Sequence, residues 1–162
     1  MKKLLLQYVS YNFWANERIV GVLDQLDKEV LDQQLISSFP NLRSTMYHIW
    51  DAEIVWINRL KNIRIGWPPS LKFDIALPLH TFIDASKEFI SLVSSEGEGF
   101  FSQFTTYKNQ QGKEFTQPNS EILMHCMNHS TFHRGQIITM LRKAGYNKFP
   151  TTDFIEFSRE TQ

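Results

Sequence analysis

The sequence predicts an all-α fold of four long amphipathic helices. A long connection separates the second from the third, a small β-hairpin precedes the fourth, and a short helix closes the chain. Three observations predict it. Apolar residues recur at three-and-four spacing through four segments. Gly, Pro and polar clusters separate those segments. A single run of β-favouring residues flanks one polar turn. The chain has 162 residues, a length that one domain, 1–162, with a sizeable core accommodates. Hydrophobic residues make up 42% and charged residues 21%, the balance of a globular protein rather than a disordered one.

The first helix is expected over residues 3–26, where Leu5, Tyr8, Asn12, Ala15, Ile19, Val22 and Leu26 share one stripe. Asn12 is the polar exception on it. A polar connector with a possible short helical turn, 27–40, leads to a second helix over 42–63. There Met46, Ile49, Trp50, Ile57 and Leu60 share one arc, and Asp51, Asn58 and Asn62 the opposite one. His48 falls on the flank between the arcs, and Glu53 falls inside the apolar one. A carboxylate so placed wants a buried partner, unless the helix is rotated slightly and Glu53 sits at its edge. Asp51 is expected on the polar face.

The loop 64–77 carries Gly66, Pro68 and Pro69. Extended, it reaches about 45 Å, more than the roughly 30 Å of the second helix. It can therefore return along the bundle and leave helices two and three parallel. The third helix is expected from Pro78, which suits a first turn, to about Glu96, with Gly97 and Gly99 breaking it. His80, beside Pro78 and with no spaced partner, reads as a surface residue. Residues 104–107 and 114–116 favour strands around Lys-Asn-Gln-Gln-Gly, a hairpin. The fourth helix starts at Pro118, Asn119 and Ser120 and ends on Arg142, Lys143 and the C′ glycine Gly145. Thr151, Thr152 and Asp153 can cap a last helix over 154–158.

A formal net charge of zero removes the electrostatic footprint of a general nucleic-acid binder. No apolar run is long enough to span a bilayer, and the start MKKLLLQYVSYNFW reads as an amphipathic helix rather than a signal peptide. Cys126 is the one cysteine, so no internal disulfide forms, which is compatible with a cytoplasmic location. It sits on the core stripe of the fourth helix and reads as a small buried apolar residue rather than a nucleophile.

The chemistry concentrates in HCMNHSTFHRGQIITMLRKAG, residues 125–145, where His125, His129 and His133 stand at intervals of four. The apolar stripe of this helix runs through Ile122, Cys126, Ile137, Met140 and Ala144, and its continuation passes through His129 and His133. A lone inward histidine is usually a hydrogen-bonded core residue. Two, one turn apart, each need a partner to offset desolvation, and a metal satisfies both. His125 lies one position off the stripe, with packing or a hydrogen bond as its expected role.

NHSTFHRGQIITMLRKAG followed by TTDFIEF, with YNFWANERI near the start and YHIWDAEIVWINRL in the second helix, resembles the DinB/YfiT-like family. The segments come in family order and span nearly the whole chain. The resemblance implies a four-helix bundle with a long crossover. It also implies a divalent metal, zinc or nickel, held by His48, His129 and His133 with open positions for water. A flank position for His48 then becomes reasonable if the site lies at the mouth of the bundle. Two functions stay open. One is a metal-dependent hydrolase or transferase using a low-molecular-weight thiol on a small-molecule substrate. The other is a non-catalytic metal-binding stress protein. The family also implies a homodimer, and 14% aromatic residues with no net charge do nothing to oppose one. No catalytic residue is assigned, since neither Asp51 nor Glu53 makes a convincing base. Trp67, mid-loop between Gly66 and Pro68, is expected as a wall of the substrate pocket.

Overall fold

A computed structural model describes residues 1–72 and 79–161 of the chain. Its long helices are α1 (Lys2–Leu23), α3 (Leu42–Leu60), α4 (Ile83–Ser95) and α5 (Asn119–Lys143). Short helices α2 (Lys28–Leu31) and α6 (Phe154–Glu160) accompany them. Strands β1 (Phe104–Lys108) and β2 (Glu114–Pro118) pair antiparallel, with Phe104 opposite Pro118 and Lys108 opposite Glu114. The predicted hairpin is therefore present, between α4 and α5. No helix among the described residues is long and apolar enough to cross a membrane.

Two apolar clusters fix the helix directions. At one end Leu5 and Val9 pack with Ile57, Leu92 and Ile122. At the other Ile19 and Leu23 pack with Leu42, Ile83 and Ile137. Residues early in α1 and α5 thus meet residues late in α3 and α4. So α1 and α5 run one way and α3 and α4 the other, and the connection after α3 returns along the bundle as its length allows. The predicted start of the third helix at Pro78 lies outside the described residues. The chain is in a 3-10 turn at Leu79–Phe82 before α4 begins.

Helix ends follow local chemistry. Asn41 and Ser44 form a reciprocal capping box at the start of α3, the Ser44 amide donating to Asn41 Oδ1 at 2.8 Å. Past its end Asn62 takes φ 59°, the left-handed conformation asparagine tolerates, and the Ile63 amide bonds the Asn58 carbonyl at 2.8 Å. Gly145 at φ 91° ends α5 in the predicted C′ position, with Tyr146 N–H donating to Leu141 O. Asn119 does not cap α5. Its side chain accepts from Thr105 Oγ1 at 2.7 Å and donates to the Phe100 carbonyl at 3.0 Å, tying the hairpin to the preceding turn. Asp153 occupies the N-cap position of α6 but makes no side-chain cap bond.

Between the apolar clusters lies a buried polar layer to which all four long helices contribute. Glu53 Oε1 accepts from Asn12 Nδ2 at 2.6 Å and Asn16 Nδ2 at 2.8 Å, and Oε2 accepts from Ser86 Oγ at 2.6 Å. Arg134 Nη1 donates to Asn12 Oδ1 and Asn16 Oδ1, each at 2.7 Å. The two asparagines thus bridge a buried carboxylate and a buried guanidinium and offset the burial of both charges, while Arg134 Nε is left without a partner. The expected partner for Glu53 on another helix is present. The expected polar face for Asp51 is not: it is buried, and accepts from Ser70 N and Ser70 Oγ at 2.7 Å each. The crossover covers that side of α3, a tertiary contact that helical periodicity does not report.

Candidate metal centre

The α3–α5 seam brings His48, His129 and His133 together. One ligand atom from each lies within 4.8 Å of the others, a group that could hold a metal ion. His48 Nε2 and His129 Nε2 stand 2.9 Å apart, and the rings of His129 and His133 have centroids 4.4 Å apart. The cluster is closed over by Phe39, whose ring is 4.3 Å from that of His48, and by Trp67, edge-on to His48 at 5.7 Å. Those loop residues turn the exposed flank of α3 into a half-buried one.

The donor set suits a cation. Burial, with His133 nearby, holds His48 down at about 4. Burial and then the neighbouring imidazoles hold His129 at about 3. Burial lowers His133 too, against the opposing effect of its bond to Gln136. All three rings are therefore neutral at pH 7, with lone pairs to offer. His133 Nδ1–H donates to Gln136 Oε1 at 2.8 Å, and Gln136 Nε2 donates to Ser38 Oγ at 2.8 Å. That chain leaves the His133 Nε2 as an acceptor. The facing Nε2 atoms of His48 and His129 can share only one proton in the protein alone, and His129 Nδ1 is buried without a partner. Two nitrogens bound to one tetrahedral zinc at about 2.1 Å stand roughly 3.4 Å apart, so the 2.9 Å pair would open by about half an ångström to hold one. The residues present fit a divalent ion.

The cluster faces an open cavity of about 400 Å³, lined by Ala52, Trp56, Arg59, Trp67, His125 and the hairpin tip at Asn109, Gln110 and Gln111. Trp67 forms part of its wall, as the loop reading anticipates. His125 is not among the three grouped histidines; its ring packs on Trp56 with centroids 5.1 Å apart. His80 is exposed, 3.2 Å from Asp24 Oδ2. Cys126 is buried, and burial pushes its thiol well up, so it remains a protonated core residue. The sequence reading passed over Gln136, Phe39, Trp56 and Arg59. Gln136 stands three residues after His133, one helical turn, and that spacing was available to find it.

Comparison with known proteins agrees with this architecture. The DinB family model matches residues 1–161. The protein DinB of Bacillus subtilis (strain 168) is 30% identical, the alignment covering 93% of this chain and 92% of that one. Two crystal structures share the fold. A DinB-like protein from Bacillus cereus ATCC 10987 superposes with TM-score 0.65 at 24% identity, covering 91% of this chain and 94% of its own. A DinB-like protein from Bacillus subtilis superposes with TM-score 0.67 at 14% identity, covering 91% and 97%. A family match over nearly every residue, a full-length relative and a shared bundle lead to one conclusion: the chain belongs to the DinB family.

Proposed function

We propose that His48, His129 and His133 hold a divalent cation, zinc or nickel, and that the protein is a metal-dependent thiol transferase or hydrolase acting on a small molecule. The observation that carries this reading is the convergence of three neutral imidazoles, two of which, His48 and His129, line an open cavity. Three protein ligands with further positions open is the layout of catalytic zinc sites rather than structural ones. When bound, the metal supplies Lewis acidity that lowers the pKa of a thiol or water reaching it. The chain's own residues do the rest. Gln136 keeps the His133 proton on Nδ1, away from the cluster. Phe39 and Trp67 shield the rings from water, and Trp56 and Trp67 offer flat walls for a small substrate.

A second reading has its own observation. Among the described residues no carboxylate lines this cavity, Asp51 is engaged by Ser70, and Glu53 belongs to the core layer. A site without a general base fits a thiol, which ionises readily, better than water. It also fits a non-catalytic, homodimeric metal-binding stress protein. Protein purified without a histidine tag, analysed for metal and then assayed with thiol plus electrophile and with ester and amide substrates, separates the two. Turnover that tracks metal content supports the enzyme. Stoichiometric metal without turnover favours the binding protein. Turnover surviving complete metal removal defeats the first reading.

A further inference from the structure

Arg59 is the residue the metal reading leaves unused. His48, Ala52, Val55 and Arg59 recur at spacings of four, three and four, so they follow one face of α3. Three of them, with Arg59, line the histidine cavity, and Val55 and Arg59 also line a second cavity of about 520 Å³ beside it. The half-buried Arg59 guanidinium therefore stands where the two spaces meet. Its carbon lies 4.3 Å from the Trp56 ring centroid and 4.6 Å from that of Tyr107, and Nη2 donates to the Lys108 carbonyl at 3.0 Å. Two aromatic rings and a carbonyl hold the group in one orientation. None of them supplies negative charge. Among the described residues no carboxylate lies within ion-pair distance of it. Arg64 and Lys108, which line the second cavity, add positive charge there, and Glu114 alone opposes it.

A planar, pre-oriented guanidinium with donors to spare is built to take an oxyanion. Its side chain leans back over Trp56, eight residues past His48, so the charge sits about 12 Å along the helix from His48. We propose that Arg59 anchors an anionic group, carboxylate or phosphate, of the small molecule that reacts at the histidine cluster. The substrate class is then an extended anion with its reacting atom roughly 12 Å from the charge. The proposal rests on the metal reading only for which end reacts.

The test is equilibrium binding, followed by isothermal titration and by the Trp56 indole NMR signal. The probes are succinate, inorganic phosphate, and glutathione against its diethyl ester. Wild type, Arg59→Gln, Arg59→Lys and Arg64→Gln are compared, each with zinc and after metal removal. Glutathione should bind wild type at least tenfold more tightly than the ester, and Arg59→Gln should abolish that preference. Arg59→Lys should restore part of it, and Arg64→Gln should reduce it less than Arg59→Gln does. Saturable succinate or phosphate binding that moves the Trp56 signal identifies which oxyanion the site takes. A preference that persists without metal leaves Arg59 standing even if the metal reading fails. Zinc binding with no anion preference, or no saturable binding of any probe, overturns the Arg59 assignment alone.

Discussion

Replacing Arg134 with methionine probes the polar layer that fixes the register of the four helices. The guanidinium donates to Asn12 and Asn16 at 2.7 Å each and to Thr131 Oγ1 at 2.7 Å, and the residue is 2% exposed. Methionine fills similar space but leaves two amide oxygens without donors and Glu53 without its nearby cation. Truncating one side of a buried charge pair costs about 3–5 kcal/mol, and the orphaned acceptors push toward the upper end. For a chain of this size about 4 kcal/mol corresponds to a fall of roughly 8–16 °C in Tm. Urea unfolding in EDTA at pH 7, on wild type, Arg134→Met, Glu53→Gln and the double variant, measures it. Chelation matters because Arg134 neighbours His133, and bound metal would mask the loss. The double variant should lose at least about 1 kcal/mol less than the sum of the singles. An Arg134→Met cost below about 1 kcal/mol, or strict additivity, refutes the bridged-pair account.

Metal-free protein should lose stability as pH falls below about 6.5, the unfolded histidine value. His48 and His129 have folded values of about 4 and about 3, so the unfolded chain binds more protons through that window. Stability therefore rises with pH across it, and a flat Tm between pH 4 and 7 in EDTA would contradict the assignment. Gln136→Ala should weaken zinc binding about 10–100-fold by freeing the His133 tautomer, read by competition with a chromophoric chelator; unchanged affinity removes Gln136 from the site. Cys126→Ala should retain full metal content, since the buried thiol touches none of the three rings' ligand roles, and loss of metal would show that it does.

How much of this was legible in sequence depends on what each residue faces. The stripe through Ile122, Cys126, Ile137 and Met140 carried His129 and His133 inward, because helical spacing alone decides the register of α5. His48 was ambiguous for a physical reason. Periodicity divides a helix into core and solvent faces, and His48 belongs to neither: Phe39 and Trp67 reach its flank from segments distant in sequence. Only the family resemblance selected it. Asp51 was misplaced by the same blindness, since Ser70 arrives from the crossover to bury it. Glu53, by contrast, was readable, because a carboxylate inside an apolar arc announces a buried partner. Arg59 and Trp56 were missed because the hairpin that completes their surroundings packs from 49 residues further on, Lys108 against Arg59, where no local pattern points back to α3.

The central claim is that three histidines from two helices make one metal site. Its most direct measurement is metal content by mass spectrometry on untagged protein, wild type beside His129→Ala and His125→Ala, after dialysis against limiting zinc and nickel. The account predicts close to one equivalent of zinc or nickel in wild type and His125→Ala, and essentially none in His129→Ala. Wild type without stoichiometric metal, or His129→Ala retaining it, would contradict the site.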